Sequence, residues 1–204
     1  MRRKLLILFS VIFVFTIIVI FYGCGKSKKD PNEVTNYLKD LKTYSTDFII
    51  EIKNDKQVIT YEGKHYYSKA LGHRMELGQD RVFIYKGDKI YAHDVKNNVR
   101  YTVDKKFDSG FLLSFVEEYI NLLYTNEEIK YEFKENEMKK YQLIHLLIPG
   151  LNKDTEKAVM YVELTSNLPE KVIIYDEKDN EKVKITYKNF QPNPELKQEL
   201  FKVE

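Results

Sequence analysis

"DSGFLLSFVEEYINLLYTNEE", residues 108–128, carries Leu112, Phe115, Val116, Tyr119, Ile120 and Leu123, which recur at intervals of three and four. That spacing predicts one helix with an apolar stripe too wide for an ordinary surface. A membrane span is excluded, because Glu117 and Glu118 sit at its centre and the stretch is too short to cross a bilayer. The stripe must therefore lie against a large apolar face, and the concavity of a curved sheet would supply one.

On both sides of this helix the apolar period falls to two. Thr46, Phe48, Ile50 and Ile52 alternate with Asp47, Glu51 and Lys53, as in a half-buried strand. Similar runs follow at Val58 to Tyr61, His73 to Leu77, Val82 to Tyr85, Ile90 to His93 and Val99 to Val103. Turn residues separate them: Asn54-Asp55, Gly72, Gly78, Lys86-Gly87-Asp88 and Asn97-Asn98. Beyond the helix the pattern returns at Ile129 to Phe133, Tyr141 to Ile148, Val159 to Leu164, Val172 to Tyr175 and Val183 to Tyr187. The expectation is about ten antiparallel strands. Sixteen Tyr and twelve Phe suit their pleated surfaces. Before the first strand, Asp30-Pro31-Asn32-Glu33 reads as a helix start, with Asp30 as N-cap and Pro31 at the first helical position. Val34, Leu38 and Leu41 continue it for about nine residues.

The N-terminus reads as a targeting segment. Arg2, Arg3 and Lys4 precede an uncharged run from Leu5 to Tyr22, about 27 Å long as a helix. Gly23-Cys24 then resembles a bacterial lipobox, although Phe21 and Tyr22 depart from its usual upstream residues. Two readings follow. In one, residues 1–23 are a signal peptide, Cys24 carries the lipid, and 24–32 form a polar linker. In the other the apolar run stays as an anchor and Cys24 is incidental. Both put the rest outside the cytoplasm at a membrane; two acyl chains, such as palmitate, would give stable attachment.

The exported part holds 30 basic and 31 acidic residues, so the formal charge of +2 belongs to the targeting segment. With 28 Lys and only 5 Arg, the chain lacks an arginine-rich face for phosphates, and no nucleic acid is expected as partner. Cys24 is the one cysteine, so the core and not disulfides must hold the fold. Its size suits a single domain.

Motifs for chemistry are missing: no HExxH, CxxC, GxSxG or phosphate-binding loop occurs. His65, His73, His93 and His145 fall on different expected strands or strand ends, and none has a Glu or His at the i, i+4 spacing of a helical zinc site, so no metal site and no catalytic residue is assigned. His145 shares a face with Tyr141, Leu143 and Leu147 and reads as half-buried. Asp176, Asp179, Asn180 and Glu181 lack the alternation and central glycine of an EF-hand loop and read as a hairpin turn. Ser109, between Asp108 and Gly110, reads as a cap. The chain is expected not to be an enzyme. Candidate partner contacts are Val58, Tyr61, His65, Tyr66 and Tyr67 in "VITYEGKHYYS", taken as a sheet edge open to another chain or to a second copy of this one.

The order of elements, with "GKHYYSKALGHRMELGQDRVFIYKGDKIYAHDVKNNVRYTV" and the closing "KVIIYDEKDNEKVKITYKNF", resembles the lipoprotein carriers of the LolA and LolB family over residues 33–204. The resemblance implies a mainly β fold with α: an unclosed β-barrel with a short N-terminal helix and an inserted helix on its concave face. The lysine- and tyrosine-rich composition is further similar to the clostridial spore-germination lipoproteins of the GerS family. That resemblance implies a non-enzymatic partner and activator of the cortex amidase CwlD, acting at the forespore membrane in muramic-δ-lactam formation and hence in germination. Zinc would belong to the amidase, and this chain would need no cofactor. The alternative function is a lipid or lipoprotein carrier with acyl chains in the half-barrel.

Overall fold

A computed structural model describes residues 30–203, apart from 109, 127, 128, 137, 151 and 152. Cys24, the apolar segment before it and the Ser109 cap lie outside the described residues.

Helix α1 (Pro31–Lys39) buries Val34, Thr35 and Leu38 on one face. Then come β1 (Thr43–Lys53), β2 (Val58–Ser68), β3 (Gly72–Leu77), β4 (Arg81–Lys86), β5 (Lys89–Asp94) and β6 (Val99–Asp104). Short 3-10 turns at Lys105–Phe107 and Leu112–Ser114 lead into α2 (Val116–Leu123). The chain closes with β7 (Lys130–Glu135), β8 (Lys140–Leu147), β9 (Lys157–Glu163), β10 (Leu168–Tyr175), β11 (Glu181–Pro192) and a 3-10 turn at Gln198–Phe201. The strands form one antiparallel sheet in the order β6-β5-β4-β3-β2-β1-β11-β10-β9-β8-β7. Two meanders thus join where β1 meets β11, and β6 and β7 are the opposite edges. The segment between Asp104 and Lys130 must cross the inner face to connect them, which is why α2 lies there.

The sheet is curled, and α2 shows by how much. Glu117 meets His73 on β3, while Tyr119 meets Ile144 on β8, six positions away in the strand order. Flat, those strands would stand about 29 Å apart. An eight-residue helix is only about 12 Å long, so the sheet must wrap around it.

The expected continuous helix is broken at Phe115, which is extended (φ −82°, ψ 124°) between the 3-10 turn and α2. Tyrosine hydroxyls replace the helical partners. The Val116 N–H donates to Tyr44 Oη (3.1 Å), and the Ser114 carbonyl accepts from Tyr187 Oη (2.9 Å). Each bond compensates a group that a continuous helix would have satisfied by itself.

Gly63 on β2 stands opposite Phe48 of β1. A Cβ there would lie 1.8 Å from the Glu76 carbonyl oxygen and 2.8 Å from the Phe48 ring, so only glycine lets ring and strand approach.

Candidate functional site

The concavity is occupied by the chain itself. Phe115, Tyr119 and Leu123 are fully buried (each 0% exposed). Phe115 lies among His65, His73 and Tyr85, with ring centroids at 4.3, 4.6 and 5.1 Å. The Tyr119 hydroxyl donates to the Ile144 carbonyl (2.7 Å) and accepts from the Met160 N–H (3.1 Å). Ile144 and Met160 are register partners of β8 and β9, so this hydroxyl bridges their ladder from within.

A polar cluster closes one side of the concavity. His73 Nε2 lies 2.9 Å from Glu117 Oε2, Asn121 donates to Glu117, and Lys105 pairs with Glu118. Burial raises the Glu117 carboxyl, but the hydrogen bond and charge of His73 and the Asn121 amide outweigh it and leave the group below its usual range. Burial, with the neighbouring His73, lowers His65 well below an ordinary imidazole. Tyr85 donates to Asp108 (2.6 Å), and burial followed by that carboxylate's charge pushes its hydroxyl far up. His73, Glu117 and Glu118 offer ligand atoms within 4.8 Å of one another, a spacing that could hold a metal ion. Their existing bonds to Lys105 and Asn121 also explain the cluster as a brace between β3 and α2. No sequence signal marks it, because His73 and Glu117 are 44 residues apart.

The sequence-derived partner residues are divided by the fold. β2 is not a sheet edge; it pairs with β1 along its length and with β3 from Gly63 to Ser68. His65 is buried against Phe48, Ser114 and Phe115 and Tyr67 against Tyr44 and His73, which removes both from any docking surface. Tyr66 points to the outer face. Only Val58 to Tyr61 overhangs β3, since the Glu62 carbonyl accepts from the Gly78 N–H (2.9 Å): there Val58 is exposed, and Tyr61 is half-buried, edge-on to Phe111 at 5.4 Å.

The other expected sites read as structure. His145 is half-exposed beside Glu132 (3.7 Å). Asp176 accepts from the Asn180 side chain and from the Asn180 and Lys178 N–H groups, which holds its carboxyl down at about 2 in a tight turn. On the outer face, the C-terminal turn roofs a cleft of about 310 Å³ over β4 to β6, and Arg74 anchors that turn through the Leu200 carbonyl (3.0 Å). Among the described residues no helix is long and apolar enough to cross a membrane.

The true edges differ in character. β6 exposes Val99, Tyr101 and Val103 on the inner face, while four of the six residues of β7, Lys130, Glu132, Lys134 and Glu135, are charged.

A family model described as sporulation protein YdcC-like matches residues 2–201. The chain belongs to the YdcC-like sporulation family. No curated protein matches it. Among solved structures, this YdcC-like chain is similar to an uncharacterized conserved protein from Thermus thermophilus (TM-score 0.55, 8% identity, 83% of this chain and 91% of that one). It is also similar to a putative outer membrane lipoprotein-sorting protein domain from Vibrio parahaemolyticus (TM-score 0.50, 11% identity, 83% and 94%). A third likeness is to a chain in the structure of the CwlD amidase from Clostridioides difficile in complex with the GerS lipoprotein (TM-score 0.48, 24% identity, 82% and 96%). The first two show that the YdcC-like fold is the unclosed, LolA-like sheet expected from the sequence.

Proposed function

We propose that this YdcC-like protein is a non-enzymatic docking protein of sporulating cells, held outside the cytoplasm at a membrane by lipid on Cys24. Its occupant would be the cortex amidase CwlD, which it would activate for muramic-δ-lactam formation. One observation carries the docking reading over the carrier reading: Phe115, Tyr119 and Leu123 fill the concavity in which a carrier would hold acyl chains. The amidase as partner rests on the sequence resemblance to the GerS family and on membership of a sporulation family. The overhang of β2, with Val58 and Tyr61, and the outward-facing Tyr66 are the proposed contacts. Tyrosine beside an unpaired strand segment is well suited to an interface.

The test is co-purification of the full-length chain, in mild detergent, with CwlD and zinc, followed by amidase assay. A stable complex with raised activity, weakened by Val58→Asp, is the expected result. No association at micromolar concentrations would refute the docking reading. A lipid retained by residues 25–204 in native mass spectrometry would favour the carrier instead.

A further inference from the structure

Because every pair of neighbouring strands is antiparallel, the register fixes which strand ends share a rim of the sheet. Thr43 pairs with Ser68, Lys86 with Lys89 and Lys89 with Asp104. Across the seam Tyr44 pairs with Pro192, and on the second meander Leu168 pairs with Glu163, Tyr141 with Glu163 and Glu135 with Lys140. All of these ends lie on one rim. The chain enters the fold beside it, since the Gln142 amide, two residues from the Lys140 end of β8, donates to the Pro31 carbonyl (2.6 Å).

The same rim carries the two most exposed large apolar side chains among the described residues: Met138 in the β7–β8 turn (92%) and Phe107 just after β6 (76%). The Asn136 side-chain carbonyl accepts from the Met138 N–H (3.1 Å) and the Lys139 N–H (2.8 Å), so the turn that presents Met138 is fixed. The Lys106 ammonium lies over the Phe107 ring, 5.2 Å from its centroid. An apolar side chain flanked by lysine suits the boundary between acyl chains and headgroups, where the ring enters and the ammonium stays wet.

The length of chain before the fold says what covers this rim. Only residues 25–30 separate Cys24 from Pro31, at most about 25 Å of extended chain, so a bilayer holding Cys24 lies close to the point of entry. Charge selects the same rim over the opposite one. The far turns, 54–57, 78–80, 95–98, 148–156 and 176–180, hold seven acidic and four basic residues, which an anionic bilayer repels. The near connections, 40–42, 69–71, 87–88, 105–108, 136–139 and 164–167, hold four acidic and five basic ones and meet no such barrier.

We propose that this rim rests on the lipid surface, with Met138 and Phe107 entering its interfacial layer. The inference rests on the anchoring at Cys24 proposed above. Two such side chains bind a bilayer weakly on their own, and the tether supplies the local concentration that makes a weak contact sufficient. Val58, ten residues or about 34 Å along β2 from Ser68, then faces away from the bilayer, where a soluble partner domain has room to dock.

The chain contains no tryptophan, so a single introduced one is a clean reporter. Met138→Trp, Phe107→Trp and Val58→Trp, all at exposed positions that tolerate change, are made in the full-length lipidated chain. Each is reconstituted into vesicles of phosphatidylcholine and phosphatidylglycerol, with and without phosphatidylcholine brominated on its acyl chains. Flotation reports attachment, and quenching by bromine reports which face touches lipid. The reporters at 138 and 107 should shift to the blue on reconstitution and be quenched at least about threefold more than the one at 58, as expected for side chains at the acyl boundary. A chain that does not float refutes the anchoring at Cys24 and this orientation with it. A chain that floats while either rim reporter stays unquenched, or is quenched no more than Val58→Trp, leaves the anchor standing and overturns the orientation alone.

Discussion

The two meanders cover α2 with different chemistry. The β1 to β6 side offers rings and polar groups: Tyr44, Phe48, His65, Tyr67, His73 and Tyr85. On the β8 to β11 side the lining is mostly aliphatic, with Ile144, Leu146, Met160, Val162, Val172, Ile174 and Ile185. An aliphatic wall excludes water but tolerates small changes of position. A ring packed against other rings, with hydroxyls aimed at single backbone groups, does not. The first meander, joined by the Tyr187 hydroxyl from β11, therefore fixes where the crossing segment sits, and the rest of the second mainly seals it.

The sharpest way to break this contrast is Phe115→Ala. The ring sits among three others at the point where the helix is interrupted, so its loss should cost about 4 kcal/mol in urea or guanidinium melts, as for buried aromatics generally. A cost under about 1 kcal/mol would mean that the site collapses easily and specifies little.

A second comparison sets Tyr119→Phe against Ile174→Val. Removing one hydroxyl leaves the Ile144 carbonyl and Met160 N–H short of their shared partner in a dry ladder, worth about 2 kcal/mol. Ile174→Val removes one methylene from the aliphatic wall and should cost about 1 kcal/mol. Denaturant midpoints would measure both. Equal costs would mean that the directed hydroxyl holds α2 no more firmly than the aliphatic wall around it.

The smallest expected effect is on acid stability. His65, lowered in the fold, gives its full contribution above its ordinary 6.5 and loses it as pH falls below that value, because unfolding then releases a proton-accepting imidazole. Glu117, also lowered, contributes above its ordinary 4.5 and loses this as pH falls through its folded value. Stability should thus decline in two stages on acidification. His65→Phe keeps a ring between Phe48 and Phe115, leaves Ser114 bonded to the Phe111 carbonyl, and should flatten the first stage only. An unchanged slope between pH 6.5 and 5 in thermal melts, roughly the range of an unperturbed imidazole, would remove His65 as its source.

Much of the fold is legible in residue order, because period-two runs and turn residues are local signals. The strands, α1 and the burial of the stripe from Phe115 to Leu123 follow from them, whereas at its start Leu113 is buried and Leu112 only partly so. Edge status does not, since it depends on which strand lies alongside. That is why Tyr66 and Tyr67, strong interface residue types, prove to lie within the sheet, and why Val99 to Val103 carries the open ladder. The break at Phe115 is equally invisible, because its causes are Tyr44 and Tyr187, 72 and 73 residues from the groups they bind. The His73 and Glu117 pairing is hidden for the same reason.

The meeting of β1 with β11 also sets an order of assembly. Thr46 bonds the Lys188 carbonyl across 142 residues, whereas pairs within each meander close over short turns. Local hairpins can form as soon as they are made, but this central seam must wait for nearly the whole chain and should govern the folding rate. Until the last strand arrives, β1 is a bare flank at the heart of the future sheet, so nascent chains are most vulnerable to mispairing there and not at either mature border.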